Sequence, residues 1–381
     1  MKVVLAPDSF KGSASAMDVC EAMKEGIREI DPNVDIAMAP MADGGEGTVE
    51  NLVQAYSGQT VAVEVMGPAG KPVTAKYGIL RGAQFGEGLC VVEVAETSGL
   101  TLLRKEERNP MKTTTYGFGQ LILDALDKGC KRFVIGLGGS GTNDGGCGMA
   151  MALGYELLDE AGMQIGLGGG SLADLAEIRT EHVDPRIFEA DFMVACDVKN
   201  PLCGTDGASH VFGPQKGATP EDVQVLDANL KRLAEVIKRD MGRDVLEVPG
   251  AGAAGGLGAG TMAFLNGTLR EGIKIISELL ELAQKVSDAD LVFTGEGRCD
   301  FQTLKGKTPF GVVSVAEEYH VPSIIVAGSV GEGLEPFYDK GVIEIIGLQK
   351  EGMTIEYAKK HAQELIKAET KNAFSRFLMK R

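Results

Sequence analysis

Both ends of the chain alternate short apolar strands with amphipathic helices, a pattern that admits few folds. At the N-terminus residues 2–6 read as a strand and 14–30 as a helix with Val19, Met23, Ile27 and Ile30 on one face. Residues 34–39 read as a second strand and 45–56 as a second helix. From Ile273 the alternation returns: a helix, a strand over 291–294, a helix over 308–318, strands over 323–327 and 342–346, and a last helix from Thr354. In that last helix Ile355, Ala358, Ala362, Leu365 and Ile366 share a face. Such alternation builds a parallel sheet with helices on both faces.

The middle breaks the pattern. Residues 60–66 and 73–80 flank Gly67-Pro68-Ala69-Gly70, with 90–94 close behind, and strands joined by such short turns pair antiparallel. A helix over 115–128, a strand over 133–137, a helix from Asn143 and a strand over 192–195 follow. The expectation is an α/β protein: a Rossmann-like doubly wound parallel sheet domain formed by both termini (1–59 and 286–381), with an inserted second α/β domain (60–285) containing a mixed sheet. At 381 residues the chain has the length for two cores.

The chemistry-bearing residues fall where strands end, where open α/β sheets gather ligands because helix N-termini point amides at the crevice. After the first strand come Asp8, Ser9 and Lys11; Lys11 could neutralise a phosphoryl group while Asp8 holds metal or takes a proton. The same loop also reads as a solvated turn with Ser13 or Ser15 as helix cap. After the second strand come Asp43 and Glu46 among glycines, which suit magnesium or a helix start equally. After the strand ending at Leu137 the run Gly138-Gly139-Ser140-Gly141-Thr142-Asn143-Asp144 offers successive amides for a polyphosphate, or a plain tight turn. Asp197 ends a further strand, and Glu296, Arg298 and Asp300 alternate acid and base after the strand at 291–294.

Several chemistries are weakened or excluded. A net charge of -16 with no basic, aromatic-interleaved stretch argues against nucleic acid. No apolar run reaches the roughly 20 residues of a membrane span, residues 1–6 lack a signal-peptide pattern, and seven scattered cysteines suit reduced cytoplasmic thiols. The four histidines are isolated, without zinc spacing, and no G-x-S-x-G elbow occurs. Gly306-Lys307-Thr308 fails as a Walker A motif because Phe301 stands where its first glycine belongs. The spacings Gly136-x-Gly138-x-x-Gly141 and Gly250-x-Gly252-x-x-Gly255 match a dinucleotide fingerprint, which keeps a nicotinamide-dependent oxidoreductase of a small hydroxy acid open.

Seven strings in order, DSFKGS (8–13), ADGGEGT (42–48), IGLGGSGTNDGG (135–146), ACDVKNPL (195–202), VFGPQKGA (211–218), PGAGAAGG (249–256) and TGEGR (294–298), resemble the bacterial glycerate kinases of type I across nearly the whole chain. The resemblance implies ATP-dependent, magnesium-assisted phosphorylation of D-glycerate to 2-phosphoglycerate, with glycerate 3-kinase as the alternative. On that reading Asp43, Asp197, Lys11 and Asp8 are the expected catalytic residues, and Ser9, Lys11, Arg298 and Lys216 the expected substrate contacts. Gly138–Asp144 is expected at the nucleotide and Asp43, Glu46, Glu296 and Asp300 at the metal, in the cleft between the two domains. A homodimer is compatible with the sequence.

Overall fold

The computed structural model describes residues 1–42, 45, 47–82 and 85–381, with the backbone alone at Glu87. The chain divides into two compact units: Met1–Asp43, Glu50–Ala55 and Ile273–Arg381 in the first, Gly44–Val49 and Tyr56–Gly272 in the second. Among the described residues no helix is long and apolar enough to cross a membrane.

The first unit is built on five parallel strands in the order Asp35–Met38, Lys2–Leu5, Leu291–Cys299, Ser323–Val330, Val342–Gly347. Counted along this unit the order is 2-1-3-4-5, that of a doubly wound sheet whose direction of growth reverses between the first and third strands. Successive side chains leave opposite faces. Ile324 and Val326 enter one core with Val3, Leu5, Phe293, Met23 and Phe374, while Ile325 and Ala327 enter another with Val313, Phe337 and Val342. Helix Ala16–Arg28 starts at Ser15, whose hydroxyl accepts from the Asp18 amide while Asp18 accepts from the Ser15 amide, a capping box. It packs on helix Ala362–Lys380 at Gly26, where a Cβ would lie 2.4 Å from the Lys367 carbonyl oxygen.

Two expectations need correction here. The strand expected over 291–294 runs on to Cys299, because it stays paired in parallel with the neighbouring strand as far as Cys299↔Val330. The last helix is broken into Ile355–Lys360 and Ala362–Lys380, so Ile355, placed by sequence on the buried face, is 63% exposed, whereas Ile366 is buried.

The second unit carries a six-stranded mixed sheet in the order Thr268–Arg270, Asp191–Ala195, Arg132–Gly136, Gly86–Glu93, Pro72–Gly82, Gln59–Met66. The first four run parallel and the last two pair antiparallel through the Gly67–Gly70 turn. Phe133 and Phe192 stack across the parallel strands with ring centroids 4.7 Å apart. Helix Pro220–Met241 buries Val223, Leu226, Leu230, Leu233 and Ile237, spaced by alternating threes and fours, and the last three of them enter this core.

Candidate active site

In the first unit the strand Lys2–Leu5 ends beside Leu291–Cys299, at the reversal of strand order where doubly wound sheets open a crevice. The chain continues in register past the strand, with Ala6 N–H donating to Phe293 O and Asp8 N–H to Gly295 O, both at 2.8 Å. Asp8 is thereby fixed. Its Oδ1 accepts from the Ser9 amide at 2.6 Å and its Oδ2 from the Thr308 hydroxyl at 2.7 Å, at the start of helix Thr308–Glu318. Beyond it Phe10 and Ala14 pair through their backbones and leave Lys11 exposed at the tip. Ser13 donates to the Phe10 carbonyl and caps no helix.

Residues 295–299 are strand, so Glu296 and Arg298, two apart, leave the same face; Glu296 is buried and Arg298, nearer the strand end, is exposed. Glu296 Oε1 accepts from the Thr303 hydroxyl at 2.5 Å, and the Lys307 ammonium stands 3.7 Å from its Oε2. Burial pushes the Glu296 carboxyl above its ordinary value, with the charges of Asp8 and Asp300 acting in the same direction. Asp300 is held below the ordinary carboxylate range, first by the Gln302 amide that donates to it at 2.9 Å and further by Arg298 at 2.9 Å. Gly295 answers a packing need, since a Cβ there would fall 1.9 Å from the Val326 carbonyl oxygen.

In the second unit the strand Arg132–Gly136 opens into the glycine turn. Gly138 and Gly139 are exposed, and Gly139 is left-handed at φ +73°. The amides of Gly138, Gly139 and Ser140 meet no acceptor among the described residues, whereas Gly139 O accepts from Leu100 N–H and Gly141 N–H donates to Ser98 O, both at 2.8 Å. Three successive amides without acceptors form a nest suited to an anion. Behind it the side chains turn inward. Asn143 donates to Ser209 Oγ at 3.0 Å, and Asp144 accepts from the Thr115 amide and hydroxyl at 2.8 and 2.9 Å and from the amides of Gly146 and Gly148. Burial pushes the Asp144 carboxyl up. Thr142, Asn143 and Asp144 therefore shape the turn, and its open part is Gly138–Gly139.

Lys216, expected at the substrate, is 2% exposed, and its ammonium donates to the Thr142 carbonyl at 2.7 Å. The second glycine fingerprint also has a packing cause. Ala254, Gly255 and Gly256 are left-handed, and Gly255 lies so close to the first turn that a Cβ would sit 2.0 Å from Thr142 O. At Gly252 a Cβ would meet Pro201 O at 2.2 Å.

Asp197 is exposed just past Asp191–Ala195, level with the glycine turn through the pairing Gly136↔Ala195, and its Oδ1 accepts from the Gly272 amide at 2.8 Å. Asp43 and Glu46 lie outside the described residues. The structure thus gathers Asp8, Ser9, Lys11, Glu296, Arg298 and Asp300 at adjacent strand ends of one unit, and Gly138–Asp144 with Lys216 in the other. Sequence reading missed Thr303 and Thr308, whose hydroxyls orient Glu296 and Asp8, and Glu93, whose Oε1 accepts from the Val49 amide at 2.8 Å. Glu93 had a signal, an acid closing the apolar run 89–92; the two threonines had none.

Among the described residues no group of three or more His, Cys, Asp or Glu could hold a metal by itself. Magnesium commonly takes only one or two protein carboxylates and completes its shell with water and substrate phosphates. Glu296 and Asp300 are buried and Asp8 half-buried, the charges of both aspartates bear on Glu296, and one or two of these carboxylates fit that sparse donor set.

A doubly wound sheet with carboxylates at its switch point, and a mixed sheet opening into a glycine turn, are the α/β features at which such folds bind ligands. A family model described as "Glycerate kinase family" matches residues 3–378, and the chain belongs to that family and is a kinase. It is 46% identical to a glycerate kinase of Halalkalibacterium halodurans over 97% of this chain and 96% of that one. To the glycerate 2-kinase of Escherichia coli it is likewise 46% identical, over 98% and 97%. The crystal structure of a putative glycerate kinase 2 from Salmonella typhimurium LT2 is similar over 100% of this chain and 98% of that one, with a TM-score of 0.89 and 45% identity.

Proposed function

We propose that this kinase transfers the terminal phosphoryl group of ATP to the 2-hydroxyl of D-glycerate, giving 2-phosphoglycerate, in the cytoplasm and with magnesium. The observation that carries the nucleotide assignment is the run of amides at Gly138, Gly139 and Ser140, which meet no acceptor among the described residues, directly after a parallel strand. The regiochemistry is supported by the 46% identity to a glycerate 2-kinase.

The amide nest accepts the nucleotide phosphates. Lys11 and Arg298, exposed beside the switch point, pair with the glycerate carboxylate or the moving phosphoryl group, and Ser9 offers a hydroxyl to the substrate. Asp197 or Asp43 orients the acceptor hydroxyl and takes its proton, with Asp8, pre-aimed by Thr308, as the alternative. Glu296 and Asp300, with Asp43 and Glu46, would hold magnesium, which when bound neutralises charge on the phosphates.

Transfer of label from ATP to D-glycerate tests this directly, and absence of labelled phosphoglycerate sinks it. The oxidoreductase reading loses its second fingerprint to turn packing at Gly252 and Gly255. A thermal shift with NAD but none with ATP and magnesium would restore it, since only a true ligand stabilises by mass action.

A further inference from the structure

Lys216 is a buried cation that the proposed chemistry does not use. A lysine is almost never fully buried unless its charge has a counterpart, because desolvating an ammonium is costly. Here the ammonium has one acceptor among the described residues, the Thr142 carbonyl at 2.7 Å. Asp144 is the charged side chain whose field reaches it, and that carboxylate is already engaged by Thr115, Gly146 and Gly148. The neighbouring Asn143 is uncharged and its Oδ1 is buried without a partner. The site is therefore positive, under-compensated and two residues behind the Gly138–Ser140 amides.

The backbone around it is rigid for steric reasons. Gly217, left-handed at φ +96°, lies where a Cβ would fall 2.2 Å from the Arg108 carbonyl oxygen, and Gly255 closes on Thr142 O from its own turn. The Thr142 carbonyl is thus clamped between the Lys216 ammonium and the Gly255 backbone, and the turn that carries the nest cannot rotate freely about it.

We propose that Lys216 is a positioning residue of the nucleotide site, its buried ammonium fixing the turn through Thr142 and its charge favouring a phosphate seated on the Gly138–Ser140 amides. The inference rests on the assignment of that turn to the nucleotide phosphates. A further negative charge is what the ligand supplies: a phosphate near a buried ammonium favours its protonated form. Burial lowers Lys216 and the Asp144 charge opposes that shift, which leaves the ammonium at about 7. Nucleotide binding should then take up part of a proton, and affinity should fall as pH rises from 7 to 9. That window lies above the ionisation of a phosphate group near pH ~6.

Isothermal titration of the full chain with ADP at pH 7, 8 and 9 tests the proposal. Wild type should lose affinity several-fold across the series, with a binding heat that depends on the ionisation heat of the buffer. Lys216→Met should bind roughly tenfold or more weakly at pH 7 and show no pH slope. With ATP and glycerate the variant should raise KM for ATP and leave KM for glycerate near its wild-type value. If the variant does not fold, proton uptake by wild type decides alone. Binding by wild type without pH slope or proton uptake overturns the proposal and leaves the nucleotide assignment standing. Absence of ADP binding by wild type overturns both.

Discussion

Glu296 is held in a setting that favours its neutral form, which gives a test at the scale of one residue. Burial, with Asp8 and Asp300 adding, raises its carboxyl above the ordinary value, so the folded protein holds that proton more tightly than the unfolded chain. Its contribution to stability is present below the ordinary glutamate value and is lost as pH rises through the raised one. Glu296→Gln removes the buried charge and can keep the Thr303 hydrogen bond, so at pH 7.5 it should stabilise the fold by about 1 kcal/mol in urea unfolding while turnover drops sharply. Unchanged turnover would take Glu296 out of the metal set. Lys11 offers the converse case, an exposed side chain with little stake in stability. Lys11→Ala should leave the urea midpoint unchanged and lower kcat by about a hundredfold or more; an unaltered kcat would make its loop purely structural. At this scale the sequence showed residue types but not their surroundings. Lys11, Arg298 and Lys216 all read as cations for the substrate; Lys11 and Arg298 are exposed, whereas Lys216 is buried, because nothing in VFGPQKGA distinguishes a lysine aimed at solvent from one aimed at Thr142.

Elements were legible where periodicity was strong and obscured where glycine did two jobs. The helix over 308–318 is found as read, and the five parallel strands follow from apolar runs. The strand to Cys299 was cut short because Gly295 and Gly297 look like a loop; the reason for glycine is the Val326 carbonyl 1.9 Å from a Cβ at Gly295. Helix Pro220–Met241 went unread although it carries its own start signal, Thr219 and Asp222 in a capping box with Pro220 at the first position. The most exacting element contact is turn on turn. Gly255 combines φ +72° with 2.0 Å of room before Thr142 O, so Gly255→Ala must shift backbone and not merely a side chain. It should destabilise the chain by about 2–3 kcal/mol in urea unfolding and, by displacing the Gly138–Ser140 amides, weaken ADP binding as well. A destabilised variant with wild-type ADP affinity would separate the two glycine turns functionally.

For the whole molecule, alternation at both ends and antiparallel pairing in the middle made the two sheets legible, since strand and helix periods are local properties of the chain. The 2-1-3-4-5 order was not, because strand order depends on long-range pairing such as Val3↔Leu291. Charge is also a property of the whole. On the proposed function a chain of net charge -16 must gather two anions, ATP and glycerate, against its own field. Local amides and ammonium groups can oppose that field over a few ångströms, but screening acts over the roughly 8–10 Å Debye length of ordinary buffers. Two consequences can be measured together. Raising salt from 10 to 150 mM should lower KM for both substrates, the opposite of an electrostatically steered enzyme. Removing magnesium with EDTA should abolish turnover, because the phosphate charge is then met by carboxylates without a cation between them. In the same reactions phosphorus NMR should show 2-phosphoglycerate. 3-Phosphoglycerate would mean that 46% identity to a glycerate 2-kinase does not carry the choice of hydroxyl, and would place that choice in the few side chains that contact the substrate.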